Sequence, residues 1–195
     1  MKSRAMALDA LRTTRPVRTA VNTPAHINQV FDAIAYQNTA AVGKPVDRVF
    51  ASFITQSSMP LMTAKMTCAS QKTELVLSQR PMSQAVPAST LWDIPVCYKR
   101  ARDGKLQPAA CTLLSGGTQT LRLDGCSSWI FANADRRGYY RTSYDPKNVH
   151  ALGEAVRNGQ LTPLEQTTLL EDLWTLSVFS ATSRASPSSS HSRRS

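Results

Sequence analysis

The spacing of hydrophobic positions changes period twice along this chain. Ile27, Val30, Phe31 and Ile34 recur at helical spacing behind Thr23-Pro24. Thr23 suits an N-cap, Pro24 suits the first helical turn, and the pattern closes near Tyr36. Val46, Val49, Phe50 and Phe53 line one side of a second predicted helix, which follows Gly43-Lys44-Pro45 and is broken by Gln56-Ser57-Ser58-Met59-Pro60. From Leu61 the period drops to two. Met62, Ala64, Met66 and Cys68 alternate with Thr63, Lys65 and Thr67, the mark of a half-buried strand. Strand-like stretches follow at 73–77 and along Trp92, Ile94, Val96 and Tyr98. Turn dipeptides at Asp103-Gly104, Gly116-Gly117 and Asp124-Gly125 introduce strands over 106–114, 118–123 and 128–132, and 138–144 supplies a last, aromatic strand. About seven short strands with regular turns predict a small antiparallel β-sandwich.

Helical spacing returns after Asp145-Pro146. Val149, Leu152 and Val156 share a face, and Asn158-Gly159 stops the helix. Thr162-Pro163-Leu164-Glu165 is a capping box with proline at the first position. Leu169, Leu170, Leu173 and Leu176 then form an apolar face with nothing evident in the sequence to cover it, a candidate surface for a protein partner. The segment 183–195 is rich in Ser and Arg and reads as disordered. The predicted class is α+β: a sandwich flanked by helices on both sides, with a disordered C-terminal tail. The expected divisions are 1–57, 58–144, 145–180 and 181–195, and the sandwich at 58–144 is the expected protease-resistant core. No internal repeat is evident.

The 195 residues are 42% hydrophobic and 18% charged, enough to bury a core. No apolar run reaches the length of a membrane span, and the start lacks the apolar stretch of a signal peptide. The net charge of +10 admits a binder of nucleic acid or of an anionic surface. The basic residues are spread along the chain and the aromatic residues read as core, which argues against a stacking platform for nucleic acid.

No H-E-x-x-H, G-x-S-x-G or phosphate loop occurs. The histidines, at 26, 150 and 191, are too far apart in sequence to share a helical face, and no cysteine pair has C-x-x-C spacing. With a three-residue hairpin loop at Asp103-Gly104-Lys105, Arg102 faces Leu106, and counting back sets Cys97 opposite Cys111. That register allows a cross-strand disulfide and would suggest an exported parent protein; a one-residue slip leaves two reduced, buried cysteines instead. Cys68 and Cys126 read as core residues.

Several longer stretches carry a resemblance. The run from Val21-Asn22-Thr23-Pro24 to Phe31-Asp32-Ala33-Ile34-Ala35-Tyr36-Gln37 resembles the helix after the zinc site in aminopeptidase N-type enzymes. The stretch 43–56 with Pro60-Leu61 resembles the end of the same thermolysin-like domain and its crossing into a β-sandwich. Ala132-Asn133-Ala134-Asp135, Gly138-Tyr139-Tyr140-Arg141 and Tyr144-Asp145 resemble the end of that sandwich, and 161–176 resembles the opening of a helical C-terminal domain. The resemblance spans roughly residues 6 to 176. It implies a parent enzyme that hydrolyses N-terminal residues from peptides. There zinc, held by two His and a Glu, polarises the carbonyl and activates water. A Glu serves as general base, other acidic residues hold the free α-amine, and a tyrosine hydroxyl hydrogen-bonds the oxyanion. Of these groups only the tyrosine has a match, Tyr36.

The departures from the family matter as much. The zinc helix is expected upstream of Met1. Tyr36 runs within seven residues into Gly43-Lys44-Pro45, where the family has several helices, so an internal deletion near 37–43 is expected. His26 replaces a family Glu, and the capping box at Thr23 is lost. No zinc is expected on this chain. The expectation is a fragment without activity of its own, or alternatively a module that complements a zinc-bearing part supplied separately.

Overall fold

The computed structural model describes residues 46–184, with side chains from 48 to 179. The predicted helix behind Thr23, Tyr36, the 37–43 stretch and the tail after 184 lie outside the described residues. The elements are α1 (Val46–Ile54), β1 (Pro60–Ala69), β2 (Lys72–Pro81), β3 (Ile94–Arg102), β4 (Lys105–Leu106), β5 (Ala110–Leu114), β6 (Thr118–Asp124), β7 (Ser127–Phe131), a 3-10 turn (Ala134–Arg136), β8 (Arg141–Tyr144), α2 (Pro146–Arg157) and α3 (Pro163–Arg184).

The strands form two sheets. One has the order β6-β2-β1-β8; the other is built on β3, which pairs with β4, β5 and β7. All pairs are antiparallel except β1 with β8, which run parallel. The dipeptides Gly116-Gly117 and Asp124-Gly125 do mark turns, but the chain changes sheets at both. β6 leaves β5 to pair with β2, and β7 returns to β3. The β1–β2 turn carries no glycine. Ser70 and Gln71 adopt positive φ instead (50° and 58°), so the usual hairpin dipeptide is missing from the sequence.

The β3–β4 turn differs from the expected one. Asp103 and Gly104 both have positive φ (51° and 72°), and Arg102 pairs with Lys105 rather than Leu106. The Gln107 N–H still reaches the Arg100 carbonyl (2.9 Å) in this tighter register. One residue of slack around Pro108, which has no N–H to give a ladder, then shifts the pairing, and Tyr98 faces Ala110. Cys97 therefore lies opposite Cys111, and the two sulfurs are bonded.

Cys68 and Cys126 are not core residues: they are bonded to each other. The alternation that suggested a buried Cys68 fades along β1. Met62 and Ala64 are buried, Met66 is half-buried, and Cys68 is exposed at the strand's end.

The core is continuous across residue 144. Met62, Ala64, Leu75 and Leu77 from one sheet meet Ile94, Val96, Leu114, Ile130 and Phe131 from the other. Leu152 and Ala155 of α2, Leu161, and Leu169 of α3 belong to the same buried cluster. Asn148 of α2 binds β7 as a strand would: its Oδ1 accepts from the Ile130 N–H (3.0 Å) and its Nδ2 donates to the Ile130 carbonyl (2.8 Å).

The predicted leucine face is largely covered. Leu169 is buried in the main core, Leu173 packs against it, and Leu176 packs on the Met59, Leu61 and Met82 cluster. Leu170 lies about 100° round the helix from Leu169 and faces outward, 67% exposed, near Trp174 at 74%. α3 continues to Arg184. Among the described residues no helix is long and apolar enough to cross a membrane.

Candidate functional site: a buried charge junction

The stretch 132–144 builds one side of the site. Asn133 closes the loop around the 3-10 turn, its Oδ1 accepting from the Gly138 N–H (2.8 Å) and its Nδ2 donating to the Gly138 carbonyl (3.4 Å). A Cβ on Gly138 would collide with the Tyr140 ring, so this position has no room for a side chain. Tyr140 Oη donates to the Ala132 carbonyl (2.7 Å), and Tyr144 Oη accepts from the Ala132 N–H (3.0 Å). Burial, and then the charge of Asp172, push the Tyr144 hydroxyl up. Burial followed by Tyr144 and Asp172 does the same at Tyr140. Both hydroxyls stay protonated and act as fixed hydrogen-bonding groups.

The charges come next. Arg141, with a side chain 5% exposed, sets Nη1 3.1 Å from Asp172 Oδ1 and 3.3 Å from Glu171 Oε2. Arg136 Nη2 lies 2.8 Å from the same Glu171 oxygen, and the Thr142 N–H donates to Asp172 Oδ2 (3.1 Å). One turn and more away, Lys99 Nζ reaches Glu165 Oε1 at 2.7 Å and Asp135 Oδ1 at 3.6 Å. Glu165 is fully buried; it also accepts from the Asp135 N–H (3.0 Å) and the Thr162 N–H (2.9 Å). The capping-box glutamate of α3 is thus also the partner of a sandwich lysine. Three cations of the sandwich grip three acids of α3.

The two buried acids differ. At Glu165 burial raises the carboxyl, but the hydrogen bonds from Asp135, Lys99 and Thr162 outweigh it and hold it below its ordinary value. At Asp172 burial prevails over the pull of Arg141 and raises the carboxyl to about 7. A carboxyl raised in the folded state binds its proton more tightly there than in the unfolded chain. Its contribution to stability is full below its unfolded value and is lost as pH rises through about 7. We expect the thermal midpoint to fall between pH 5 and pH 8, and Asp172→Asn to flatten that fall. A slope unchanged in the variant would remove Asp172 as its source.

The donor set does not fit zinc. All four cysteines are bonded in disulfides, His150 is exposed on α2, and the buried carboxylates are taken by cations and backbone N–H groups. Among the described residues no group of three or more His, Cys, Asp or Glu could hold a metal ion. Of the residues singled out in the sequence, Cys97 and Cys111 are brought together, while Tyr36 lies outside the described residues. The junction itself was missed, although a trace was readable. Glu165 and Asp172 stand seven apart on the same helical face as Leu169 and Leu176, so charged residues interrupt an apolar stripe.

A family model described as the ERAP1-like C-terminal domain matches residues 129–186, which takes in the whole junction except Lys99. Aminopeptidase M1 of Arabidopsis thaliana is 24% identical over 238 residues, covering 93% of this chain and 26% of its own length. Aminopeptidase M1-A of Oryza sativa subsp. japonica is 25% identical over 212 residues, with 87% of this chain and 24% of its own covered. Aminopeptidase 2 of Candida albicans is 22% identical over 212 residues, with 88% and 23% covered. The chain spans about a quarter of the length of these curated relatives. The similarity extends over most of the chain, which resembles a stretch of the aminopeptidases of the N and M1 type.

Proposed function

We propose that this chain is the joint of an aminopeptidase N-type enzyme, the unit that seats the first helices of the C-terminal domain on the sandwich, and that it has no peptidase activity of its own. The buried charge junction carries this reading. Its cations and acids come from opposite sides of the joint, and each acid is held by more than one donor, which fixes an angle as well as a contact. An internal deletion near 37–43 fits the comparison with Aminopeptidase M1. That alignment is 238 residues long yet takes in 93% of a 195-residue chain, so several tens of its positions have no residue here. The parent chemistry is zinc-dependent removal of N-terminal residues from peptides, with Tyr36 as the surviving oxyanion donor by resemblance. The zinc-binding H-E-x-x-H is absent from the sequence.

The purified chain should release no chromophore from an aminoacyl-anilide and should hold much less than one zinc per molecule. Stoichiometric zinc with chelator-sensitive turnover would refute the proposal. A second reading, a module that complements a zinc-bearing part supplied separately, is favoured by the exposure of Leu170 and Trp174 on the outer face of α3.

A further inference from the structure

The two disulfides sit in different surroundings. Cys97 is 3% exposed and lies in mid-ladder, between the β3–β5 pairs Val96 with Thr112 and Tyr98 with Ala110. A thiol can reach the Cys97 sulfur only if the ladder opens, and its partner Cys111 is half-buried on β5, so neither sulfur of this bond is exposed as Cys68 is. Cys68 is exposed at the end of β1, and its partner Cys126 is half-buried at the corner where β6 passes to β7. This corner is basic. Arg100 Nη1 donates to the Asp124 carbonyl (2.9 Å) and the Ser127 hydroxyl (3.2 Å), on either side of Cys126 in the chain. Arg102 Nη1 reaches the same carbonyl (3.4 Å), and its side chain lies over Gly125, where a Cβ would collide with it. Lys72 is exposed, and its backbone pairs with that of Gly125, which sets this lysine at the same corner. The acids nearby are Asp103, 3.8 Å from Arg102, Glu74, which pairs with Arg122, and Asp124 itself.

We propose that Cys68–Cys126 is an exchange site for anionic low-molecular-weight thiols, and that Cys97–Cys111 is a structural disulfide that stays closed. The incoming thiolate attacks the exposed Cys68 sulfur. A new S–S bond forms there, the Cys68–Cys126 bond breaks, and Cys126 leaves as a thiolate beside the guanidinium groups, which favour the anion. A second thiol resolves the mixed disulfide. Two small thiols are oxidised to one small disulfide, and the protein gains two electrons and two protons as two cysteine thiols. The corner remains held by the Gly125 N–H on the Gln71 carbonyl (3.0 Å) and by the Thr73 hydroxyl on the Gly125 carbonyl (2.7 Å), so reduction there leaves the fold standing.

The test treats the air-oxidised chain under native conditions with glutathione, which is anionic, or with neutral 2-mercaptoethanol, followed by alkylation and peptide mass mapping. Glutathionylated Cys68 and alkylated Cys126 should appear on the order of tenfold faster than any opening of Cys97–Cys111. The advantage of glutathione should vanish at about 1 M salt, where the screening length is only a few ångströms. Lys72→Gln should slow glutathione and leave 2-mercaptoethanol unchanged. Four free thiols in the starting protein, equal rates at the two bonds, or a glutathione preference indifferent to salt would each overturn the proposal.

Discussion

Replacing Arg141 by alanine should destabilise this chain by about 3–5 kcal/mol at pH 8, the range expected when one member of a buried ion pair is removed. Arg141 is the central cation of the junction. Without it Asp172, 1% exposed, keeps the Thr142 N–H as its hydrogen-bond donor among the described residues, and Glu171 loses one of its cations. A lysine should restore little, because a single ammonium lacks the planar fork that serves neighbouring acids. The effect depends on pH. Near pH 5 Asp172 takes up a proton, its charge no longer needs a partner, and the loss should shrink. Denaturant unfolding of Arg141→Ala at the two pH values checks both statements, and equal losses at both would contradict the role given to Asp172.

The second large effect concerns where the fold ends. A chain ending at Tyr144 should not form a stable sandwich. Removing α2 and α3 strips Leu152, Ala155, Leu161 and Leu169 from the core and bares the other side of the same cluster at Trp129, Ile130 and Phe131. Each large side chain so exposed costs about 1.5–3 kcal/mol, a substantial part of the marginal stability of a domain this size. The Ile130 backbone loses both bonds to Asn148, and Lys99 and Arg141 lose their buried partners. The shortened chain should aggregate or lack near-ultraviolet dichroism, whereas residues 46–184 should melt in one transition. Limited proteolysis of the intact chain should leave a core that includes α2 and most of α3.

The extent of the core was hard to read because burial across residue 144 joins elements with different periods. The strands announce themselves by alternation and α2 by Leu152 with Val156, but nothing in either pattern says that the two faces meet. Turns were easier to place than pairings. Gly116-Gly117 and Asp124-Gly125 mark reversals through backbone permissiveness, yet the partner of β6 is decided by long-range packing of Leu121 and Leu123. The Cys97–Cys111 pairing came from a turn one residue too long. The slack at Pro108 offset the difference, and the predicted alignment holds for a reason the sequence did not show. Of the junction, Gly138-Tyr139-Tyr140-Arg141 was recognisable as a family stretch. Its role emerged only with the positions of Glu165 and Asp172 across the joint.

The most direct test of the joint is native-state hydrogen exchange on the intact chain. If sandwich and helices are one locked unit, the amides of 169–173 in α3 and of 94–98 in β3 should exchange through a common opening, with the same free energy and the same dependence on denaturant. If α3 opens by itself at low cost while β3 stays protected, the charge junction does not hold the helices on the sandwich and the chain is not a joint.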